Sequence, residues 1–175
     1  MIRRLLPVLI ILASSQCFAD VPAYYQRVSA AQNIPAVILY AIAMQESRPP
    51  EGLIEGVNEP WPWTLNCKGQ GYFFPSRNAA FITARQFIDS GLSCDIGLMQ
   101  VSWVWHKQRF ISLDEALDPY TNIRIGAVIL KEQYAKSGSW EHAVGAYHNP
   151  SDPIKAGQYR ERVRARLANI MGVTF

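Results

Sequence analysis

Apolar positions recur at helical spacing over much of the chain, and one such run ends in an acid. Ile34-Pro35-Ala36-Val37-Ile38-Leu39-Tyr40 leads into Ala41-Ile42-Ala43-Met44-Gln45-Glu46-Ser47, followed by Arg48-Pro49-Pro50. Proline suits the first helical position and tandem prolines cannot continue a helix, so the pattern predicts one helix from about Pro35 to Ser47. Stepping back from Glu46 along one face gives Ala43, Ile42, Leu39 and Ile38, all apolar. Glu46 thus shares the face expected to point into the core. Burial and the negative end of the helix dipole both favour its protonated form, as a general acid near neutral pH requires. A last-turn glutamate that bends into solvent or pairs with Arg48 is the competing reading.

The remaining pattern is mostly helical. Asp20-Val21-Pro22 opens a helix carrying Tyr24, Val28 and Ala31, broken at Asn33. Pro60-Trp61-Pro62-Trp63 forbids regular helix. Thr64-Leu65-Asn66-Cys67 and Tyr72-Phe73-Phe74, flanking Lys68-Gly69-Gln70-Gly71, predict a small hairpin. Ser76 or Asn78 caps a helix from Ala79 to Ser90 with Phe81, Ala84, Phe87 and Ile88 as its stripe; Gly91 ends it. Ser93 to Ser102 reads as a turn-to-helix junction, with Asp95 as cap of a helix starting near Gly97. Leu113 to Pro119 is turn-like. Helices follow over Thr121–Lys136 (Ile123, Ala127, Leu130 and Tyr134 inward), Trp140–Tyr147 and Gln158–Met171.

Met1 to Ala19 has a different pattern: Arg3 and Arg4, an apolar run from Leu5 to Ala13, then a small residue, Ala19. That is the layout of a secretory signal peptide (residues 1–19), leaving one domain over residues 20–175. Gln16 before Cys17 argues against lipidation, and no later stretch has the length and apolarity of a membrane span. Without Arg3 and Arg4 the formal charge falls from +3 to +1, which gives no case for a nucleic-acid footprint. Arg160, Arg162, Arg164 and Arg166 read as a solvated helix face. Cys67 and Cys94 remain, and in an oxidising compartment a pair points to a disulfide, with two free thiols as the alternative. Two cysteines and three scattered histidines make no credible zinc site, and neither metal nor cofactor is expected.

Several short motifs, in order, resemble the family 1 lytic transglycosylases of the soluble-lytic-transglycosylase type. Ala41 to Ser47 resembles the catalytic-glutamate motif and Gly97-Leu98-Met99-Gln100 the second motif. Leu117-Asp118-Pro119 with Asn122-Ile123-Arg124-Ile125-Gly126 resembles the segment before the long core helix. Ala146-Tyr147 resembles the start of an Ala-Tyr-Asn motif, and Gly157-Gln158-Tyr159 a late Gly-x-Tyr. The resemblance implies a mainly α, lysozyme-like (goose-type) single domain with an inserted β-hairpin. It implies non-hydrolytic cleavage of the β-1,4 bond between N-acetylmuramic acid and N-acetylglucosamine in peptidoglycan, leaving 1,6-anhydromuramoyl ends. Glu46 would be acid and then base, helped by the substrate's acetamido group, so one carboxylate is enough.

The resemblance also implies substrate-binding roles for Ser47, Met99, Gln100, Tyr147 and Tyr159. From the residues themselves, Gln100 offers an amide to orient sugar groups, Met99 an apolar wall or core packing, and Tyr147 a hydroxyl for Glu46 or substrate. Trp61, Trp63, Tyr72 and Phe73 either stack on sugars as a lip of the groove or pack the hairpin down, and a Cys67–Cys94 bridge would tie that lip to the Gly97 junction. The chain departs from the family pattern in three places. His148 replaces the Asn of the third motif. About fifty residues separate Glu46 from Gly97, roughly twice the family's usual spacing. Asp95 supplies a second carboxylate that would activate water in a hydrolytic muramidase. A non-catalytic peptidoglycan-binding assembly factor is the third reading. The expected setting is the periplasm, as a monomer on peptidoglycan strands, opening the wall for a secretion or conjugation apparatus.

Overall fold

The computed structural model describes residues 21–173, so the expected signal peptide lies outside the described residues. Among them are eight α-helices and one four-stranded sheet. Helices α1 (Ala23–Gln32) and α2 (Ala36–Ser47) meet at Asn33, which takes the left-handed conformation with φ 55°. Helix α2 follows Pro35 and stops at Ser47, because Arg48 precedes a proline and is held extended at φ −68°, ψ 124°. Leu39, Ala41, Ile42 and Ala43 are all buried, while Ile38, on the expected face, is half-buried. In α1 the buried face is Tyr25, Val28 and Ser29, one step round from the expected stripe, and Ala31 is exposed.

The hairpin is tighter than its sequence suggests. Strand β1 (Thr64–Cys67) pairs with β2 (Gln70–Phe73) so that Cys67 faces Gln70. Only Lys68 and Gly69 form the turn, both at positive φ (54° and 81°), as a two-residue loop matched to strand twist requires. The hairpin is also part of something larger. Strands β3 (Cys94–Ile96) and β4 (Val101–Ser102) extend it to a sheet of order β2-β1-β3-β4. Cys67 and Cys94 are directly opposite, with Cα atoms 4.2 Å apart and a disulfide between them. Asp95 is therefore a strand residue, not a helix cap. No helix starts at Gly97: residues 97–100 form a turn, and α4 spans only Trp103–His106.

Helix α3 (Arg77–Asp89), capped by Ser76 on the Ala79 N–H, covers one side of the sheet. After α4 and a 3-10 turn (Lys107–Arg109), the turn-like stretch contains a short helix, α5 (Leu113–Ala116). The long core helix α6 (Pro119–Ser137) starts on an Asp118 cap with Pro119 in its first turn and ends at Gly138. Helix α7 (Trp140–His148) and helix α8 (Pro153–Met171) follow, α8 beginning five residues before the expected Gln158 because Asp152 caps it. Helices α2, α6, α7 and α8 pack on one another around a continuous core that includes Leu98, Met99, Ile123, Leu130, Tyr159 and Val163. No helix among the described residues is long and apolar enough to cross a membrane.

Candidate active site

Glu46 occupies the last turn of α2, where that helix lies along α8. The Tyr159 hydroxyl donates to Glu46 Oε1 at 2.5 Å. Tyr159 is itself 1 % exposed, whereas Glu46 keeps part of its surface open. The carboxyl is thus lodged among protein groups at the mouth of the core. Burial pushes it up to about 7, the charge of Asp95 adds to the rise, and the Tyr159 hydrogen bond and Arg162 oppose it. Near neutral pH it is divided between acid and carboxylate, the condition for giving and then taking a proton.

The turn carrying Gly97-Leu98-Met99-Gln100 is fastened to α6 by one buried side chain. Asn122 donates through Nδ2 to the carbonyls of Ile96 (2.8 Å) and Ala116 (2.9 Å), and its Oδ1 accepts from the Met99 N–H (2.8 Å). Gly97 sits at φ 78°, and a Cβ there would meet the Asn122 side chain at 2.6 Å, so glycine is required twice over. Gly126 gives Met99 its place in the same way, since a Cβ would lie 2.7 Å from the Met99 side chain. Ser47 completes the junction: its hydroxyl donates to the Leu98 carbonyl at 2.8 Å, tying the Glu46 turn to the second motif.

These contacts revise several expected substrate contacts. Ser47 and Met99 are each 0 % exposed, so neither side chain meets a glycan; both build the junction that aims Glu46. Tyr159 is equally buried and acts on Glu46 rather than on a sugar. The Tyr147 hydroxyl donates to the Met99 carbonyl at 2.7 Å, not to Glu46, although its ionisation is opposed by burial and by the charges of Glu46 and Asp95. Gln100 is partly exposed at φ 44°, and its Nε2 donates to the carbonyls of Gly97 (2.8 Å) and Thr64 (3.2 Å). Its donors thus hold the turn to β1.

The sheet is near enough for Asp95 to act on Glu46 electrostatically. Strand alternation puts Leu65, Cys67, Cys94, Ile96 and Val101 on the core face. The other face carries a row of polar groups across three strands, Asn66 opposite Asp95 and Asp95 opposite Ser102. Burial raises Asp95 above the usual carboxylate range, while a hydrogen bond from Ser102 restrains the rise. Its charge is felt at both Glu46 and Tyr147, so the two carboxyls belong to one electrostatic site.

The hairpin aromatics divide. Tyr72 packs on Phe74 and Phe87, with ring centroids 6.4 and 5.3 Å away, and so fastens the sheet to α3. Trp63 packs on the core; Trp61 meets it edge-on at 5.5 Å and donates its indole N–H to the Phe74 carbonyl at 2.7 Å. Phe73, on the face of the Asn66–Asp95 row, is partly exposed. His148 stacks parallel on Tyr159, centroids 4.6 Å apart and planes 4° from parallel, while Arg162 lies 5.6 Å from the same ring.

Sequence gives Asn122 a place in a motif but no role, and gives Asn66 and Ser102 neither. Asn122 had a signal: it falls on the helical stripe of Gly126 and Ile129, all buried, where a polar side chain needs partners. Asn66 and Ser102 had none until strand register was known.

Among known proteins, residues 23–166 match the family model described as the transglycosylase SLT domain. No curated protein matches the chain, and neither does any solved structure. The family match covers most of the chain and all of the elements around Glu46, and the mainly helical fold agrees with it. The chain belongs to the transglycosylase SLT domain family, the lysozyme-like lytic transglycosylases that act on peptidoglycan.

Proposed function

We propose that this protein is an exported lytic transglycosylase in which Glu46 is the single acid/base. In this reading, residues 1–19 direct export and are removed, and the domain from Asp20 works on the wall in the periplasm. Protonated Glu46 gives its proton to the glycosidic oxygen as the bond to C1 of the muramoyl unit breaks. The substrate's acetamido oxygen closes on C1 to hold the developing charge. The Glu46 carboxylate then takes the proton of the muramoyl 6-hydroxyl, whose oxygen attacks C1, expels the acetamido oxygen and forms the 1,6-anhydro ring. Water is not consumed and Glu46 ends protonated. The observation that carries this reading is the Glu46 carboxyl, raised to about 7 and held by Tyr159. Local opening of the wall for a secretion or conjugation apparatus is the role we assign, on the compact single-domain resemblance.

Asp95 supports a second reading. A carboxylate whose charge is felt at Glu46, with Asn66 and Ser102 as its cross-strand neighbours, would serve a hydrolase by activating water or stabilising C1. Digestion of purified sacculi separates the readings. Anhydro-muropeptides from the wild type support the transglycosylase, reducing ends support the hydrolase, and no released products would leave a non-catalytic binder.

A further inference from the structure

Near Glu46, whose carboxyl feels the charge of Arg162, three arginines have no carboxylate within salt-bridge distance among the described residues. Arg48 follows Ser47 at the end of α2. Arg162 and Arg166 lie one turn apart on α8, on the side that faces α2. Arg166 donates through Nε to Gln45 Oε1 at 3.3 Å, which draws it to the turn that ends in Arg48. Arg162 lies over the Tyr159 ring, and Tyr159 holds Glu46. Arg48 reaches Asn58 Oδ1 at 3.1 Å through one terminal nitrogen. Its Nε is buried and has no hydrogen-bond partner.

The pairing elsewhere on α8 shows what is missing here. Lys155, Arg160 and Arg164 all have carboxylates within 4 Å, from Asp152, Glu141 and Glu161. Arg48, Arg162 and Arg166 have none among the described residues, and Glu59, an acid near that side through its effect on Tyr40, bonds to none of them. A cation at the end of α2 is explained by the helix dipole, but the dipole does not explain two more brought towards it. Burial and the charge of Arg48 both lower Arg166's hold on its proton, so the cluster costs free energy as it stands. Arg162 is exposed, and Arg48 and Arg166 are half-buried.

We propose that Arg48, Arg162 and Arg166 form a carboxylate-binding subsite that takes the acidic peptide carried by the muramoyl unit at the scissile bond. This rests on the peptidoglycan reading above. With its lactyl groups amide-linked to peptide the glycan backbone is uncharged, so the carboxylates of its peptides are the substrate groups that match three guanidinium forks. The subsite adjoins the helix turn that bears Glu46, so an anchored peptide would fix which glycosidic bond meets the acid.

The test compares kcat/KM on peptide-bearing glycan strands, on the same strands stripped by an amidase with the freed lactyl carboxylates capped as amides, and on strands whose peptide carboxylates have been amidated. The wild type is expected to prefer the peptide-bearing strands about tenfold, one charge-assisted contact's worth, and to lose the preference on amidated strands. In Arg48→Gln/Arg166→Gln the ratio should approach one, and Arg48→Lys/Arg166→Lys should keep part of it. Thermal unfolding checks that both variants fold. A wild type that cleaves all three substrates equally, or a glutamine variant that keeps the full preference, overturns the subsite and leaves the lyase standing. Cleavage of none of the three by the wild type overturns the lyase reading and the subsite with it.

Discussion

Helix α2, backed by α8, and the four-stranded sheet each bring a carboxyl to one electrostatic site, and they treat it differently. Glu46 comes from the end of an almost wholly apolar helix, its only side-chain hydrogen-bond donor among the described residues being Tyr159, which is 1 % exposed. Asp95 comes from the polar face of a sheet, between Asn66 and Ser102. Burial raises both, but Glu46 reaches about 7, while Ser102 holds Asp95 back. Each carboxyl's state follows from what its own element presents. An apolar helix face offers little to solvate an anion, and a pleated strand surrounds its acid with cross-strand polar neighbours.

The comparison breaks most completely at Glu46. Glu46→Gln keeps the shape and removes the proton, and cleavage of sacculi should fall by at least about a hundredfold, up to the ~10⁴ assigned to general acid–base catalysis. The same substitution tests the burial argument through stability. A carboxyl raised from 4.5 to about 7 contributes its full share to stability below pH 4.5, and that share is lost as pH rises through 7. Glu46→Gln should therefore match the wild type in acid and exceed it at pH 8, by about 2–3 kcal/mol at most given its partial exposure. Thermal midpoints of the two proteins across that range check it.

Next in size is the junction between the two regions. Asn122→Leu fills the space but strands the Met99 N–H and the Ile96 and Ala116 carbonyls, and should cost about 3 kcal/mol or more, read by denaturant unfolding. An unchanged midpoint would mean that the turn holds without α6. Tyr159→Phe is smaller and sharper. It removes the one bond that favours the Glu46 carboxylate, so the alkaline limb of the pH–rate profile should move to higher pH. The rate should drop by about tenfold, one lost charge-assisted hydrogen bond. Asp95→Asn should have the smallest effect, less than about tenfold, with anhydro products retained and the alkaline limb moved slightly down as a neighbouring charge is lost. A loss as large as that of Glu46→Gln would give the sheet carboxyl an essential role and favour the hydrolase.

The same contrast explains how far the sequence could be read. Helices announce themselves by periodicity and punctuation: the Pro35–Ser47 run, the Ser76 cap and the Gly91 stop all stand where the residues placed them. Glu46 was legible because its helical neighbours were apolar and its helix had a proline at either end. The β1–β2 hairpin was legible too, but the rest of the sheet was not, because β3 and β4 are three and two residues long, too short for alternation to show. Asp95 therefore read as a cap when it is a strand residue, and its neighbours Asn66 and Ser102 were invisible without register. Ser47, Met99 and Tyr159 were legible as members of motifs but not as parts of a junction. A motif names residues that stay together, and burial decides whether they touch substrate or one another.

The central claim is that the helical wall keeps Glu46 protonated close to neutral pH. Isotope-edited infrared or carbon NMR titration of glutamate carboxyls, assigned by difference against Glu46→Gln, measures this directly. The account predicts one carboxyl titrating near pH 7, present in the wild type and absent from the variant. A Glu46 carboxyl that titrates near 4.5, like a solvated glutamate, would contradict it.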